Sequence, residues 1–205
     1  MTTTPLRSTP VMTDAPALMT ADELFTYHVP GKRTELVRGR LVLHEPASFY
    51  HGVVAGRVLL RLGAWLENDR VARGATEPLG DLLAADTGFT LTREPDTVRA
   101  PDVAFVYTER RPLETRGFPE LAPDLAVEVR SPNDRTGEVL SKVGDWLNAG
   151  TSLVWVIDPQ RRSAQQFAAD GTISLLTEHD ALTGDPVLPG LRIPLADLLA
   201  NLPAG

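Results

Sequence analysis

In the 205-residue chain, apolar residues recur with the spacing of helices or strands except in a short segment at the start. Residues 1–18 are rich in Thr, Pro and Ser and follow neither period, which predicts a disordered tail. Residues 19–203 carry the periodic segments. We therefore expect a single domain there, of a size that one hydrophobic core can support.

Helices are predicted where apolar residues recur every three or four positions. The predicted helices span about 20–27, 50–68, 136–148 and 195–202. Thr20 followed by Glu23 is a capping-box pattern at the start of the first helix. Gly150 follows the third helix as a C-cap.

Strands are predicted where short apolar or alternating runs end at Gly, Pro, Asn or Asp. They span 35–38, 40–43, 81–84, 87–91, 102–106, 125–129, 153–157, 163–168 and 172–177, and 108–123 is predicted to be a loop. Gly39 marks the turn of the first hairpin. The strand 125–129, the helix 136–148 and the strand 153–157 follow one another through short links, which predicts a parallel pair with a right-handed crossover at the sheet centre. The fold class is therefore α/β with a mixed sheet flanked by helices.

Composition excludes several kinds of chemistry. The chain has no cysteine, so disulfides, thiolate metal sites and cysteine nucleophiles are excluded. It contains no 18-residue apolar stretch, and residues 1–17 hold no apolar run of signal-peptide length. We expect a soluble, cytoplasmic protein.

The net charge of −7 argues against non-specific coating of nucleic acid. Residues 32–73 nevertheless hold eight basic and four acidic side chains, a local charge of +4. Such a strip would suit a polyanionic substrate. Solvated charges on a helix face remain the alternative interpretation.

Two carboxylates occupy apolar strands. Asp102 opens the strand 102–106, and Glu128 interrupts the apolar run of 125–129. A carboxylate in a buried strand costs several kcal/mol unless a cation or strong donors meet it. A metal ion or an ion pair with arginine would each satisfy this requirement.

Lys142 stands out by rarity, because eighteen of the twenty basic residues are arginine and only Lys32 and Lys142 are lysine. It lies on the helix that follows the strand of Glu128. Arginine would serve equally well in a surface pair, whereas a compact ammonium suits a position beside an attacking water. An i, i+4 pair between Glu138 and Lys142 is the alternative.

These residues together resemble the Uma-two family of the PD-(D/E)XK nuclease superfamily. The resemblance rests on Pro101-Asp102-Val103, on Glu128-Val129-Arg130-Ser131-Pro132, on Lys142, and on Ala149-Gly150 before Val154-Trp155-Val156-Ile157-Asp158. It extends to Glu35-Leu36-Val37-Arg38-Gly39-Arg40-Leu41 and to His51, and covers about residues 20–202.

The resemblance implies a restriction-endonuclease-like core in which Asp102 and Glu128 hold a divalent metal and Lys142 assists a nucleophilic water. Hard oxygen ligands of this kind suit Mg²⁺ or Mn²⁺, and the carbonyl of Val129 is a candidate further ligand. Glu35 matches the additional acidic position of the superfamily, which would bind a second metal or orient water. An ordinary edge-strand charge is its alternative.

Two further residues complete the expected site. His51 is a candidate proton shuttle or phosphate contact, and a helix cap or surface histidine is the alternative. The superfamily's usual lysine lies two residues after the glutamate, where this chain has Arg130. Arg130 is therefore a candidate phosphate clamp.

The expected activity is metal-dependent cleavage of DNA. A nuclease-derived module that binds nucleic acid or a protein without turnover, and a metal-free structural domain, remain open alternatives. The sequence shows no motif that would read bases. A homodimer would let two sites cut both strands, but the sequence leaves the oligomeric state open.

Overall fold

The computed structural model of the protein describes residues 18–84, 86–113, 116–132 and 134–203. The predicted tail lies outside the described residues except for Leu18, and so does Asn133 of the predicted turn. Leu18 packs closely on the first hairpin, where a Cβ added at Gly39 would lie 2.6 Å from the Leu18 Cβ. Leu18, the first described residue, is therefore part of the packed fold.

Within these residues the chain forms four α-helices and twelve strands. The helices are α1 (Ala21–Thr26), α2 (Phe49–Ala72), α3 (Thr136–Asn148) and α4 (Leu195–Leu199). The strands are β1 (Arg33–Val37), β2 (Arg40–His44), β3 (Gly80–Ala84), β4 (Phe89–Thr92), β5 (Thr97–Arg99), β6 (Val103–Tyr107), β7 (Leu125–Val129), β8 (Leu153–Asp158), β9 (Ser163–Ala168), β10 (Ile173–Thr177), β11 (Ala181–Thr183) and β12 (Arg192–Pro194).

The largest sheet has six strands in the order β10-β9-β8-β7-β6-β3. β7 and β8 pair in parallel, with Glu128 opposite Val156, and all other pairs in this sheet are antiparallel. The predicted parallel pair at the sheet centre is thereby confirmed. So is the predicted mixed sheet flanked by helices.

Side chains of the central strands alternate between the two faces of the sheet, and each face packs against different helices. On one face, odd-numbered residues of β6, β7 and β8, such as Val127 and Trp155, pack with α2 and α4. On the other face, even-numbered residues such as Ala126 and Val154 pack with α3. Glu128 shares this second face, since successive strand residues point to opposite sides. In the described part of the chain, no helix is both long enough and apolar enough to cross a membrane.

A four-stranded antiparallel sheet, ordered β2-β1-β5-β4, lies beside the large one. Its first hairpin turns at Arg38 and Gly39, with φ values of 50° and 75°. Positive φ at both central residues is the two-residue turn that matches strand twist. β1 is an inner strand of this sheet, paired with β2 and, through Leu36 and Val98, with β5.

The C-terminal segment closes one side of the core. β11 and β12 form a two-stranded sheet, and α4 follows directly. Arg57 of α2 donates to the carbonyls of Leu198 and Ala200, both at 2.8 Å. This contact satisfies carbonyl groups at the end of α4.

Several predicted boundaries were wrong. α2 extends further at both ends than 50–68, α4 ends at Leu199 rather than residue 202, and Asp102 precedes β6 instead of opening it. The predicted loop of 108–123 begins with a 3-10 turn at Thr108–Arg110. The sequence missed β5, β11 and β12 because a three-residue strand is too short to show a period.

Candidate active site

The predicted site residues meet at the carboxyl end of β7. Glu128 lies on β7, Asp102 just before the neighbouring β6, and Lys142 on α3. Glu35 enters from β1, and His51 from the first turn of α2. An open cavity of about 540 Å³ is lined by these residues except Glu35, which lies behind it.

Glu128 is the most deeply embedded acid of the cavity wall, and 8% of the residue is exposed. Its Oε2 accepts from Lys142 Nζ at 2.8 Å, and its Oε1 accepts from Trp146 Nε1 at 2.9 Å. Burial raises the pKa of Glu128 to about 7, the carboxylates of Asp102 and Glu35 act in the same direction, and Lys142 opposes them. Burial and the two neighbouring carboxylates together thus outweigh Lys142 in setting the pKa of Glu128.

Lys142 does not form the surface pair with Glu138. Its Nζ lies 2.8 Å from Glu128 Oε2 and 3.1 Å from Glu35 Oε1, and it also faces the carbonyl of Ala100 at 3.5 Å. Burial alone would lower the pKa of Lys142, but the two glutamates hold it above its usual value. A permanently charged ammonium therefore joins two strands of different sheets.

Glu35 is buried on an inner strand, so the edge-strand interpretation is wrong. Oε1 accepts from Ala100 N and Lys142, and Oε2 accepts from Arg99 Nη1 at 2.7 Å and contacts His44 Nε2 at 3.0 Å. Burial acts to raise the pKa of Glu35, yet Lys142, His44 and Arg99 hold it well below its usual range. With four partners, this carboxylate is arranged to orient Lys142.

Asp102 is fixed to β7 by backbone as well as side chain. Its N–H donates to the carbonyl of Val127 at 3.0 Å, and its Oδ2 accepts from the Val129 N–H at 2.7 Å. The same oxygen contacts His51 Nε2 at 3.1 Å, while Oδ1 has only a long contact of 3.4 Å to Arg33. Burial opposes ionisation, but His51, the Val129 N–H and Lys142 lower the pKa of Asp102. Asp102 is therefore ionised at neutral pH with one oxygen weakly engaged.

His51 is a buried residue of the cavity wall, not a surface histidine. Its backbone N–H donates to Ser48 Oγ in the cap of α2, and its ring contacts Asp102 through Nε2. Nδ1 is buried and has no hydrogen-bond partner among the described residues. If Nε2 carries the proton donated to Asp102, Nδ1 presents a lone pair.

Arg130 and Val129 also line the cavity. Arg130 donates to Asp158 at 3.1 Å and to the carbonyl of Asp134 at 3.0 Å, and its Nε is buried without a partner. The guanidinium is thereby held in place at the rim while one of its donors stays unused.

The sequence missed a second layer of polar residues behind the site. Trp146 donates to Glu128, and Arg99 bridges Glu35 to Asp145 Oδ2, which it contacts at 2.9 and 2.6 Å. Trp146 follows Lys142 by four residues, so both reach Glu128 from one face of α3. This spacing is the one signal in the sequence that pointed to Trp146.

Most basic side chains of the strip 32–73 form hydrogen bonds within the protein. Six of the strip's eight cations donate hydrogen bonds, five to carboxylates and Arg57 to backbone carbonyls: Lys32, Arg33, Arg57, Arg61, Arg70 and Arg73. Arg40 of β2 lines the cavity and has no side-chain partner among the described residues. The alternative interpretation of paired and solvated charges thus holds for most of the strip.

The donor set fits a hard divalent cation, although no three Asp, Glu or His side chains of the described residues converge into a ready-made metal site. Mg²⁺ is usually held by one or two carboxylates with water and substrate phosphate completing the shell. Asp102 and Glu128 provide two carboxylates at one cavity, and the pKa of Glu128 is raised chiefly by burial and further by its acidic neighbours. A cation bound there would stabilise the ionised form of Glu128.

Comparisons with known proteins agree with this geometry. The sequence profile of the Uma2 family, described as "putative restriction endonuclease", matches residues 21–196. A crystal structure from Anabaena variabilis ATCC 29413, described as a "putative nuclease belonging to DUF820", has the same fold with a TM-score of 0.73 and 20% sequence identity. The match covers 88% of this chain and 97% of that one. No curated protein matches the chain. Because the family profile spans most of its length, the chain belongs to the Uma2 family of restriction-endonuclease-like proteins.

Proposed function

We propose that this protein is a divalent-metal-dependent nuclease that hydrolyses phosphodiester bonds of DNA. The observation that carries the proposal is the buried ammonium of Lys142, which lies between Glu128 and Glu35 at the cavity that Asp102 also lines. A purely structural ion pair needs one carboxylate for one ammonium. Here two glutamates meet one ammonium, and Glu128 lines an open cavity together with Asp102.

Asp102 and Glu128, with the Val129 carbonyl beside them, would hold Mg²⁺ or Mn²⁺. When bound, such an ion polarises a phosphoryl oxygen and lowers the pKa of a coordinated water. Glu128 must be deprotonated to bind the metal, and its pKa of about 7 leaves it partly protonated at neutral pH. The site is therefore tuned to work best above neutrality.

From its position between Glu128 and Glu35 at the cavity, Lys142 would stabilise the charge that develops on the phosphoryl group when water attacks phosphorus. Glu35 orients the ammonium through its 3.1 Å contact, and Arg99 fixes Glu35 in turn. In this role Glu35 acts through Lys142 instead of binding a second metal.

His51 supplies a proton acceptor on the same wall. Its Nε2 is anchored by Asp102, which leaves the Nδ1 lone pair to accept a proton. Arg130 has an unused donor at the rim and Arg40 an unpaired charge, and both would contact the phosphates of the substrate. DNA is thus held by few cations, consistent with the negative net charge of the chain.

A second candidate is a module that binds nucleic acid without cleaving it. One observation favours it: both oxygens of Glu128 are already engaged, by Lys142 and Trp146. A cation can bind Glu128 only if it shares those oxygens or displaces one of the two donors.

Calorimetric titration with Mn²⁺ tests the metal site. We expect binding to the wild type and its loss in Asp102→Asn and in Glu128→Gln. Glu138→Gln is the matched control, because Glu138 lines the same cavity but is exposed and has no contact with the cluster. Absence of Mn²⁺ binding to the wild type would refute the proposal.

Nicking of supercoiled plasmid in Mg²⁺ or Mn²⁺ then separates the two candidate functions. The nuclease predicts nicking by the wild type and by Glu138→Gln, and none by Lys142→Met. Metal binding without any nicking would support the binding module.

A further inference from the structure

A second cavity, of about 220 Å³, adjoins the candidate active site. It shares His51 and Arg130 with the larger cavity, so these two side chains form a common wall. A substrate whose phosphate lies in the first cavity therefore has the second within reach of its neighbouring group.

The walls of the second cavity are mostly apolar and partly rigid. The apolar lining residues include Tyr50, Pro132, Pro159, Leu202 and Pro203. The volume lies below the roughly 300–1,000 Å³ of pockets for drug-sized ligands. A single planar ring system suits this space better than a whole nucleotide or a peptide.

The common wall adds two polar side chains to this apolar space. They are His51, a residue that is 5% exposed, and Arg130, whose guanidinium is held by Asp158 and by the carbonyl of Asp134. Fixed polar side chains beside an apolar space suit a ring that has apolar faces and a polar edge.

The mouth of this cavity carries an exposed aromatic pair. Tyr50 lines the cavity and is 45% exposed. Phe49 supports it from the side, with ring centroids 5.4 Å apart and planes at 83°. Aromatic side chains in such positions offer a face on which a nucleobase can stack.

We propose that the second cavity binds one unpaired nucleobase of the DNA whose phosphate occupies the active site. The proposal rests on the function proposed above, because the phosphate in the first cavity is what brings the base to the second. Tyr50 provides the stacking face, and His51 and Arg130 form the wall that separates the base from the phosphate in the active site.

A base inside a duplex cannot enter this space, because its faces are stacked and its edge is paired. It must be flipped out or lie in a single-stranded or bulged position, and an unpaired base enters at the lowest cost. The protein therefore prefers DNA with an unpaired nucleotide over fully paired DNA.

Binding to two otherwise identical duplexes tests this inference. One duplex is fully paired, and the other carries a single bulged 2-aminopurine whose fluorescence reports stacking. Affinities are measured with Mg²⁺ in the Glu128→Gln background to prevent cleavage. We expect the bulged duplex to bind about 5- to 150-fold more tightly, the range that one base–aromatic stack provides, with a change of the 2-aminopurine fluorescence on binding.

The variants of the aromatic pair locate the effect. Tyr50→Leu should abolish the preference, so that the two duplexes bind equally, and Tyr50→Phe should keep it. Phe49→Leu is the matched control, because Phe49 is more exposed but does not line the cavity. Circular dichroism of each variant verifies the fold.

The outcomes separate this inference from the proposed function. Equal affinity for both duplexes, or a loss of preference in Phe49→Leu as large as in Tyr50→Leu, would overturn the base-binding site even if the wild type nicks plasmid. A bulge preference that depends on Tyr50 supports the site even if the wild type cleaves no DNA, and in that case only the nuclease proposal fails.

Discussion

Lys142→Met removes the ammonium from the centre of the cluster and keeps most of the side-chain volume. Glu128 then loses its only cation at hydrogen-bond distance, whereas Glu35 keeps Arg99 and His44. Removing one partner of a buried ion pair costs about 3–5 kcal/mol, since the other charge stays buried and unpaired. We expect a loss of this size in the free energy of unfolding at pH 8.

The loss of unfolding free energy caused by Lys142→Met should be smaller at acidic pH. The pKa of Glu128 is raised to about 7, so at about pH 5 its carboxyl is already neutral, and removing Lys142 raises that pKa further. What remains is the loss of one charged hydrogen bond to Glu35, about 1.5–3 kcal/mol. The destabilisation by Lys142→Met is therefore greater at pH 8 than at pH 5.

Urea unfolding at the two pH values, followed by circular dichroism, measures both losses. Lys32→Met is the matched control, because Lys32 is the only other lysine and pairs with Glu45 at the surface. Surface pairs are worth about 0–1 kcal/mol. The double variant Lys142→Met/Glu128→Gln should be more stable at pH 8 than Lys142→Met, by about 0.5–3 kcal/mol of coupling. An equal loss at both pH values, or no recovery in the double variant, would refute the charge balance inferred for this cluster.

Three further predictions follow from the same contacts and from the packing. Mn²⁺ affinity and plasmid nicking should rise with pH through about 7, because a metal binds only the ionised form of Glu128, and a flat profile between about pH 6 and 8 would contradict this. Trp146→Phe removes the N–H that donates to Glu128 at 2.9 Å, so calorimetry should show an Mn²⁺ affinity about 10–100-fold lower. The midpoint of the rise in Mn²⁺ affinity with pH should also move to higher pH, because the ionised form of Glu128 loses a donor. An unchanged midpoint would argue against a role of Trp146 in stabilising ionised Glu128. Gly80→Ala places a Cβ 2.2 Å from the Val106 carbonyl oxygen and should destabilise the protein by about 1–3 kcal/mol in urea unfolding, whereas Gly56→Ala, in open space on α2, should stabilise it by about 0.5–1 kcal/mol.

The central part of the fold could be predicted from the sequence because its signals are local. The run of 125–129, the helical face of 136–148 and the run of 153–157 each show a clear pattern over five or more residues. The short connections then favour one arrangement of the parallel pair, a right-handed crossover. The three-residue strands offered no such pattern, since their pairing is set by contacts with distant strands.

The residues that line the candidate site could be predicted from the sequence for a related reason. Glu128 is conspicuous as a charge inside an apolar run, and Lys142 as a rare lysine in an arginine-rich chain. The four-residue spacing from Lys142 places Trp146 on the same face of α3, but it does not reveal that the Trp146 N–H donates to a carboxylate. Arg99 lies in one of the short strands, and its bridge between Glu35 and Asp145 spans 64 and 46 residues of sequence. Contacts of that separation are decided only when two sheets and a helix are packed together.

The arrangement of charges explains why stability and function oppose each other at this site. Glu35 is fully satisfied, because Arg99 and Lys142 both meet it, but Asp145 takes up part of the Arg99 charge. Lys142 also meets Glu128, and the one arginine that Asp102 contacts among the described residues is Arg33 at 3.4 Å, which Asp86 holds at 2.6 Å. A stable metal-free core would replace one of these acids by an amide or provide another arginine, and this chain has arginine in abundance. The proposed function accounts for this arrangement, because a divalent cation bound by Asp102 and Glu128 would complete the charge balance at the end of β7.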